Sequence, residues 1–410
     1  MKPERPLNAE VAAHRRGRPA PLIFHLGTAV AAYQAAIAAA PAAGREDFPW
    51  HPALARGARG APPAADVLHE ALARLRKTEA GIRAWQTHPY RRPDAARRVL
   101  WQSGATRLLE YGRGPGRPVL VIPSLINTAA ILDLTPATSF LDALAARGLR
   151  PVLLDWGPPG PLEAAFDLER YVTARLLPAA SFLEGESGQR AALLGYCMGG
   201  TLAAILAASL PGAPALLTIG APWAFGGGTG LAADMRLGAR HVGAARLRGL
   251  LDAAAATFGL VPAALFDQLF ALINPLQVAR KFQRFAEMAP ESAAAERFVA
   301  LEDWLADGRA MSGPAAVDLL VRWQVEDALA DGGWRCIGRP VRPEEIACPA
   351  LVITGRRDHI APTALAAPLA ERIPGARHLE VDLGHVGMVV SARAGRDVID
   401  PAVAFLHGLA

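Results

Sequence analysis

One stretch, Ala191 to Thr201, limits what this chain can fold into more than any other. The apolar run Ala191-Ala192-Leu193-Leu194 has strand character and drives into Gly195-Tyr196-Cys197-Met198-Gly199-Gly200-Thr201. It leaves as an alanine- and leucine-rich segment, Leu202 to Leu210, that reads as a helix stopped by Pro211. A strand, a Gly-x-Cys-x-Gly-Gly turn and a helix form the context of a nucleophile elbow, where the reactive side chain sits on strained backbone. Gly195 and Gly199 have a steric task there, because a Cβ at either position would clash with the adjoining strand and helix. A lone free cysteine more often reads as a small buried hydrophobe. The glycine frame and its placement favour Cys197 as a nucleophile.

Length and composition leave room for this reading. The 410 residues suffice for one large α/β domain with an insertion, or for two domains. Hydrophobic content of 52% with 20% charged residues describes an ordered chain with ample core material. Three widely spaced cysteines argue against a disulfide framework and for a reducing compartment, and no clustered His/Cys spacing suggests a metal site. Only Lys2, Lys77 and Lys281 are lysines, so nearly all of the 43 basic residues are arginine and the net charge of +5 partly reflects compositional bias. No basic cluster is interleaved with aromatics, so nucleic acid is not an expected partner. Attraction for anionic small molecules, such as a nucleotide-bearing carrier, fits the sign of the charge. The first residues, MKPERPLNAE, are polar and do not read as a secretory signal, and no apolar stretch reaches spanning length. A cytoplasmic protein is expected.

Taken in order, residues 1–95 read as an N-terminal arm and helical region, with helices over Ile23 to Ala40 and Leu68 to Trp85. Residues 96–225 read as the first part of a sheet domain. Its strands are expected at Ala105 to Tyr111, Val119 to Pro123, Pro151 to Asp155, the elbow strand and Ala215 to Ile219. The turn Gly112-Arg113-Gly114-Pro115-Gly116 and the helices Ser139 to Ala146 and Leu168 to Leu177 lie between them. Residues 226–340 interrupt the rhythm, opening on Gly226-Gly227-Gly228 and continuing as helices around Phe266 to Leu272, Val278 to Met288 and Ala315 to Leu329. They are expected to form a helical cap. Residues 341–410 resume the sheet through Leu351 to Thr354 and Ala376 to Val381, with helices over Pro362 to Arg372 and Pro401 to Leu409. Strands alternating with helices of this length predict a mostly parallel, doubly wound α/β sheet.

That pattern and the elbow together predict an α/β-hydrolase fold, whose chain order is nucleophile, acid, histidine. Downstream of Cys197, Asp358 follows one strand in Gly355-Arg356-Arg357-Asp358-His359, and His385 follows the next in Asp382-Leu383-Gly384-His385-Val386-Gly387. His385 would take the thiol proton, and Asp358 would orient its imidazole. His359 is a rival base and Asp382 a rival acid, each too close in sequence to its partner to face it comfortably. Asp155 reads as a structural or pocket residue. The backbone N–H of Met198 is the natural oxyanion donor, with a second from the loop near Leu125 and Ile126. A thiolate exchanging with a thioester gives an acyl-enzyme that stays activated, so cysteine suits acyl transfer from thioesters when water is kept out.

The segment Leu194 to Thr201 resembles the lipase-like box of polyhydroxyalkanoate synthases. Ile131-Leu132-Asp133-Leu134 and Leu154-Asp155-Trp156-Gly157 resemble that family's flanking segments. Arg357 to Pro362 resembles its aspartate motif, and Gly384-His385-Val386-Gly387 with Val389-Val390-Ser391 its histidine motif. Where synthases usually carry bulky aromatics, Asn127-Thr128-Ala129-Ala130 is small, a difference that bears on the pocket or the accepted acyl chain. The resemblance implies an acyltransferase that moves (R)-3-hydroxyacyl groups from coenzyme A thioesters to a growing polyester through Cys197, His385 and Asp358. His359 and Asp133 would support that triad. No cofactor or metal is expected beyond coenzyme A as part of the substrate. The resemblance also implies a homodimer and association with polyester granules. The alternatives are a thioesterase or intracellular polyester depolymerase of the same fold, and a granule-associated scaffold without turnover.

Overall fold

The computed structural model describes residues 22–42, 63–93, 96–113, 116–210, 212–227, 231–273 and 277–408, together with Arg16, Arg45 and Asp47. The polar opening residues, most of the arm to residue 60, Gly114, Pro115, Pro211 and Gly228 lie outside them. The described chain forms two compact units, residues 1–91 with 267–306, and residues 92–266 with 307–410.

In the first unit, helix Ala64–Thr87 packs against helices Leu22–Ala39 and Gln277–Phe285. Ile82 and Trp85 form its core with Phe282, Phe285 and Val299. Gly81 is required for the approach, because a Cβ there would fall 1.9 Å from the carbonyl oxygen of Phe282. Helix Ala293–Ala306 contributes Glu302, buried and ion-paired with Lys281 at 2.6 Å. Burial pushes the Glu302 carboxyl up, and the Lys281 ammonium opposes that shift.

The second unit holds an eight-stranded sheet: β1 (Arg98–Ser103), β2 (Thr106–Glu110), β3 (Pro118–Ile122), β4 (Arg150–Asp155), β5 (Ala192–Tyr196), β6 (Leu216–Ile219), β7 (Ala350–Gly355) and β8 (Arg377–Val381). Their spatial order is β1-β2-β4-β3-β5-β6-β7-β8. β2 runs antiparallel to both its neighbours, and every later pair is parallel. This is the α/β-hydrolase strand order, as the sequence predicts. The central strands β3, β5, β6 and β7 are buried at every position. Continuous apolar runs such as Pro118-Val119-Leu120-Val121-Ile122 suit strands covered by helices on both faces. β8 is mostly exposed, in keeping with its place at the sheet edge.

Residues 226–340, read from sequence as one cap insertion, divide between the units, with 267–306 in the first and the flanking parts in the second. Within the second unit, the helices Leu231–Val242 and Ala244–Phe258 precede a bridge from Val261 to Met311. A further bridge joins Gly308 to Asn127 in the loop after β3. No helix among the described residues is long and apolar enough to cross a membrane.

Candidate active site

β5 delivers its C-terminal end to Cys197, which caps helix Met198–Ser209 with φ 56° and ψ −133°. A side chain rarely adopts that backbone, and the surroundings impose it. The Cys197 N–H donates to the Ile219 carbonyl at 2.9 Å, and its own carbonyl accepts from the Gly200 N–H at 2.8 Å. The glycine frame is sterically obligatory. A Cβ on Gly195 would lie 2.3 Å from the Gly200 Cα, and one on Gly199 would lie 2.2 Å from the Ile122 carbonyl oxygen.

The loops after β7 and β8 bring the other two groups to the thiol. His385 Nδ1 hydrogen-bonds Asp358 Oδ2 at 2.6 Å, and the Cys197 thiol is a further hydrogen-bond partner of the same imidazole. With Nδ1 committed to the aspartate, Nε2 is the nitrogen left for sulfur. Asp358 Oδ1 accepts from the backbone N–H groups of Ile360 and Ala361, both at 2.8 Å. All three side chains are buried.

Burial alone would lower the affinity of His385 for a proton. The charges of Asp358 and Cys197, with the hydrogen bonds to both, outweigh it and hold the imidazole well above its usual pKa. Burial likewise opposes ionisation of Asp358, but the His385 charge and the hydrogen bonds from His385, Ala361 and Ile360 hold that carboxyl below its usual range. The arrangement is a strong base poised against a thiol, oriented by a carboxylate that stays charged.

Two neighbours had no separate signal in the sequence. Tyr196 stacks obliquely on His385, with centroids 5.1 Å apart, and its hydroxyl donates to the His385 carbonyl at 3.3 Å. Burial and the nearby Cys197 and Asp358 charges push the Tyr196 phenol well up, so it stays neutral. Gly220, after β6, has φ 57°, and a Cβ on it would lie 3.1 Å from the His385 ring. Tyr196 sits inside the elbow motif and was readable in principle, whereas nothing in the pattern singles out Gly220.

The remaining candidates separate. Met198 is the first residue of its helix, where backbone N–H groups lack intrahelical partners. The Ile126 N–H donates to Ser124 Oγ at 3.2 Å. The turn Ala129–Leu132 beyond it packs against helix Gly387–Val390 behind His385. Asp133 is buried with the Tyr111 hydroxyl at 2.9 Å and Arg92 at 3.2 Å. His359 is exposed, and Asp382 is held by Arg357 at 2.6 Å. Asp155 pairs with Arg107 at 2.6 Å and accepts the Gly157 N–H.

No family model matches the sequence. A poly(3-hydroxyalkanoate) polymerase subunit PhaC of Haloferax mediterranei is 31% identical over 308 residues, 73% of this chain and 61% of the relative. The subunit PhaC of Allochromatium vinosum is 24% identical over 307 residues, 72% of this chain and 83% of the relative. Over about 70% of its length the chain is similar to poly(3-hydroxyalkanoate) polymerase subunits. It spans about three-fifths of the length of the Haloferax polymerase. Among solved structures, a monoacylglycerol lipase of Paleococcus ferrophilus is similar, with a TM-score of 0.45, 16% identity, and coverage of 74% of this chain and 99% of that one.

The electrostatics of the site can be tested directly. In Asp358→Asn, the largest contribution raising the His385 pKa disappears, so the imidazole should titrate at lower pH than in the wild type. An NMR titration of labelled histidine checks the direction. An unshifted or raised value would contradict the assigned coupling.

Proposed function

We propose that the chain is an acyltransferase that moves (R)-3-hydroxyacyl groups from coenzyme A thioesters onto a growing polyester. The observation that carries this reading is a cysteine, rather than a serine, on the strained elbow beside the His385–Asp358 pair. Similarity to the poly(3-hydroxyalkanoate) polymerase subunits suggests the substrate class.

In the first half-reaction His385 Nε2 accepts the thiol proton, and the Cys197 sulfur attacks the thioester carbonyl. The Met198 N–H, with that of Ile126 once released from Ser124, would donate to the developing oxyanion. As the intermediate collapses, the bond to the coenzyme A sulfur breaks and His385 returns its proton to the departing thiolate. In the second half-reaction His385 deprotonates a hydroxyl at the end of another hydroxyacyl unit. That oxygen attacks the acyl-Cys197 thioester, and the proton passes to the leaving Cys197 sulfur. One thioester bond is exchanged for one ester bond, with no oxidant or metal required.

Water attacking the same acyl-enzyme would make the protein a thioesterase. Incubation with 3-hydroxybutyryl-CoA, following free coenzyme A and acyl products together, separates the outcomes. Coenzyme A release accompanied by polyester is expected. Release with only free 3-hydroxybutyrate would overturn the transferase reading.

A further inference from the structure

Beside the loop after β3 the second unit carries an open pocket of about 440 Å³, within the usual range for small-molecule sites. Four arginines line it: Arg92, Arg97, Arg107 and Arg309. Of the three aspartates in its wall, Asp133 and Asp155 are already engaged, and Asp307 lies 4.0 Å from Arg309. Asp133 accepts from Arg92 and the Tyr111 hydroxyl and faces Arg97, and Asp155 accepts from Arg107 and the Gly157 N–H. The guanidinium groups are less committed. Arg92 and Arg107 each make one of these bonds and retain further N–H donors, with their side chains 41% and 45% exposed. Arg309 has only a loose 4.0 Å contact with Asp307.

The rest of the wall suits the non-ionic part of such a ligand. Val99, Leu109 and Leu153 supply apolar surface, and the Arg97 guanidinium carbon lies 4.1 Å from the centre of the Tyr111 ring. The small residues Thr128, Ala129 and Ala130 also line it. Guanidinium forks with spare donors beside an apolar wall match a phosphorylated organic molecule better than a simple carboxylate, since phosphate takes several donors at once.

We propose that this pocket binds an organic phosphate, held by Arg92, Arg107 and Arg309. Arg309 ties the site to the chemistry. Its N–H donates to the Ile126 carbonyl at 2.9 Å, and its side chain also lines a second pocket of about 20 Å³ shared with Leu125 and Asn127. A phosphate drawn against Arg309 therefore braces the loop that carries the Ile126 N–H. The phosphate has two candidate sources, the nucleotide end of the coenzyme A substrate or a separate nucleotide. Only the first rests on the proposed acyl transfer.

Calorimetric titration of the full chain with adenosine 3′,5′-bisphosphate tests the site without any turnover. Arg309→Gln and Arg92→Gln should each weaken binding by about tenfold or more, with thermal melts confirming that both variants fold. Absence of binding, or equal affinity in wild type and both variants, overturns the proposal. Competition between the bisphosphate and 3-hydroxybutyryl-CoA assigns the site to the substrate, and binding without competition assigns it to a separate nucleotide. In the first case Arg309→Gln should lose more kcat/KM on the coenzyme A thioester than on the N-acetylcysteamine thioester, which has no nucleotide. A protein that binds the bisphosphate but never releases coenzyme A keeps this site and loses the acyl-transfer reading.

Discussion

Cys197→Ala is expected to remove turnover of 3-hydroxybutyryl-CoA, by a factor on the order of 10⁶ in kcat if the triad works as a unit. The backbone at Cys197 is held at φ 56° by its bonds to Ile219 and Gly200, and alanine has no bulk to disturb them. The variant should therefore fold with a melting temperature close to that of the wild type. Coenzyme A release under multiple turnover, followed with a thiol reagent, checks the expectation. Residual activity within about tenfold of wild type would mean that another group forms the covalent bond. Cys197→Ser is a useful companion. A serine acyl-enzyme is an oxygen ester, less activated toward the next hydroxyl, so chain growth should fall further than the first acylation.

Gly199→Ala should have a large effect on stability. The new Cβ would lie 2.2 Å from the Ile122 carbonyl oxygen and 2.4 Å from that of Pro123. Both are backbone atoms at the end of a central strand, so no flexible side chain can move aside. Relief requires helix Met198–Ser209 to shift away from β3, at a cost of about 3 kcal/mol or more. Against a total stability of about 5–15 kcal/mol, much of the protein should then be found insoluble or melt well below the wild type. A denaturation midpoint within error of wild type would show that the close approach is not needed.

The legibility of this protein follows the range of the interactions involved. The elbow was readable because its strand, turn and glycines are neighbours in sequence and meet the same constraint in any chain. Asp358 and His385 were readable because each follows a strand, one apolar and one at the sheet edge, at the point where the sheet's C-terminal edge meets a loop. The helices were also legible where a stop residue falls at the end, as Thr363–Arg372 shows against an expected Pro362 to Arg372. What escaped was pairing at a distance. Nothing in the periodicity of 267–306 says that it joins the N-terminal helices. The contact depends on a glycine, Gly81, admitting the backbone of Phe282. Gly220 was invisible for the same reason, since its role is to leave room for a ring contributed by a loop far along the chain.

The sheet order also sets a clock for biosynthesis. β6 ends at Ile219 and can pair with its outer neighbour only after Ala350 to Ile353 have been made. At ribosomal rates of about 5–20 residues per second, that edge stays open for several seconds or longer while the elbow and its thiol already exist. An unpaired apolar edge beside a free cysteine is a hazard for aggregation and oxidation during that interval. The delay also has a protective side. Asp358 and His385 arrive with the last strands, so the Cys197 thiol lacks its imidazole neighbour until the fold around it is nearly closed.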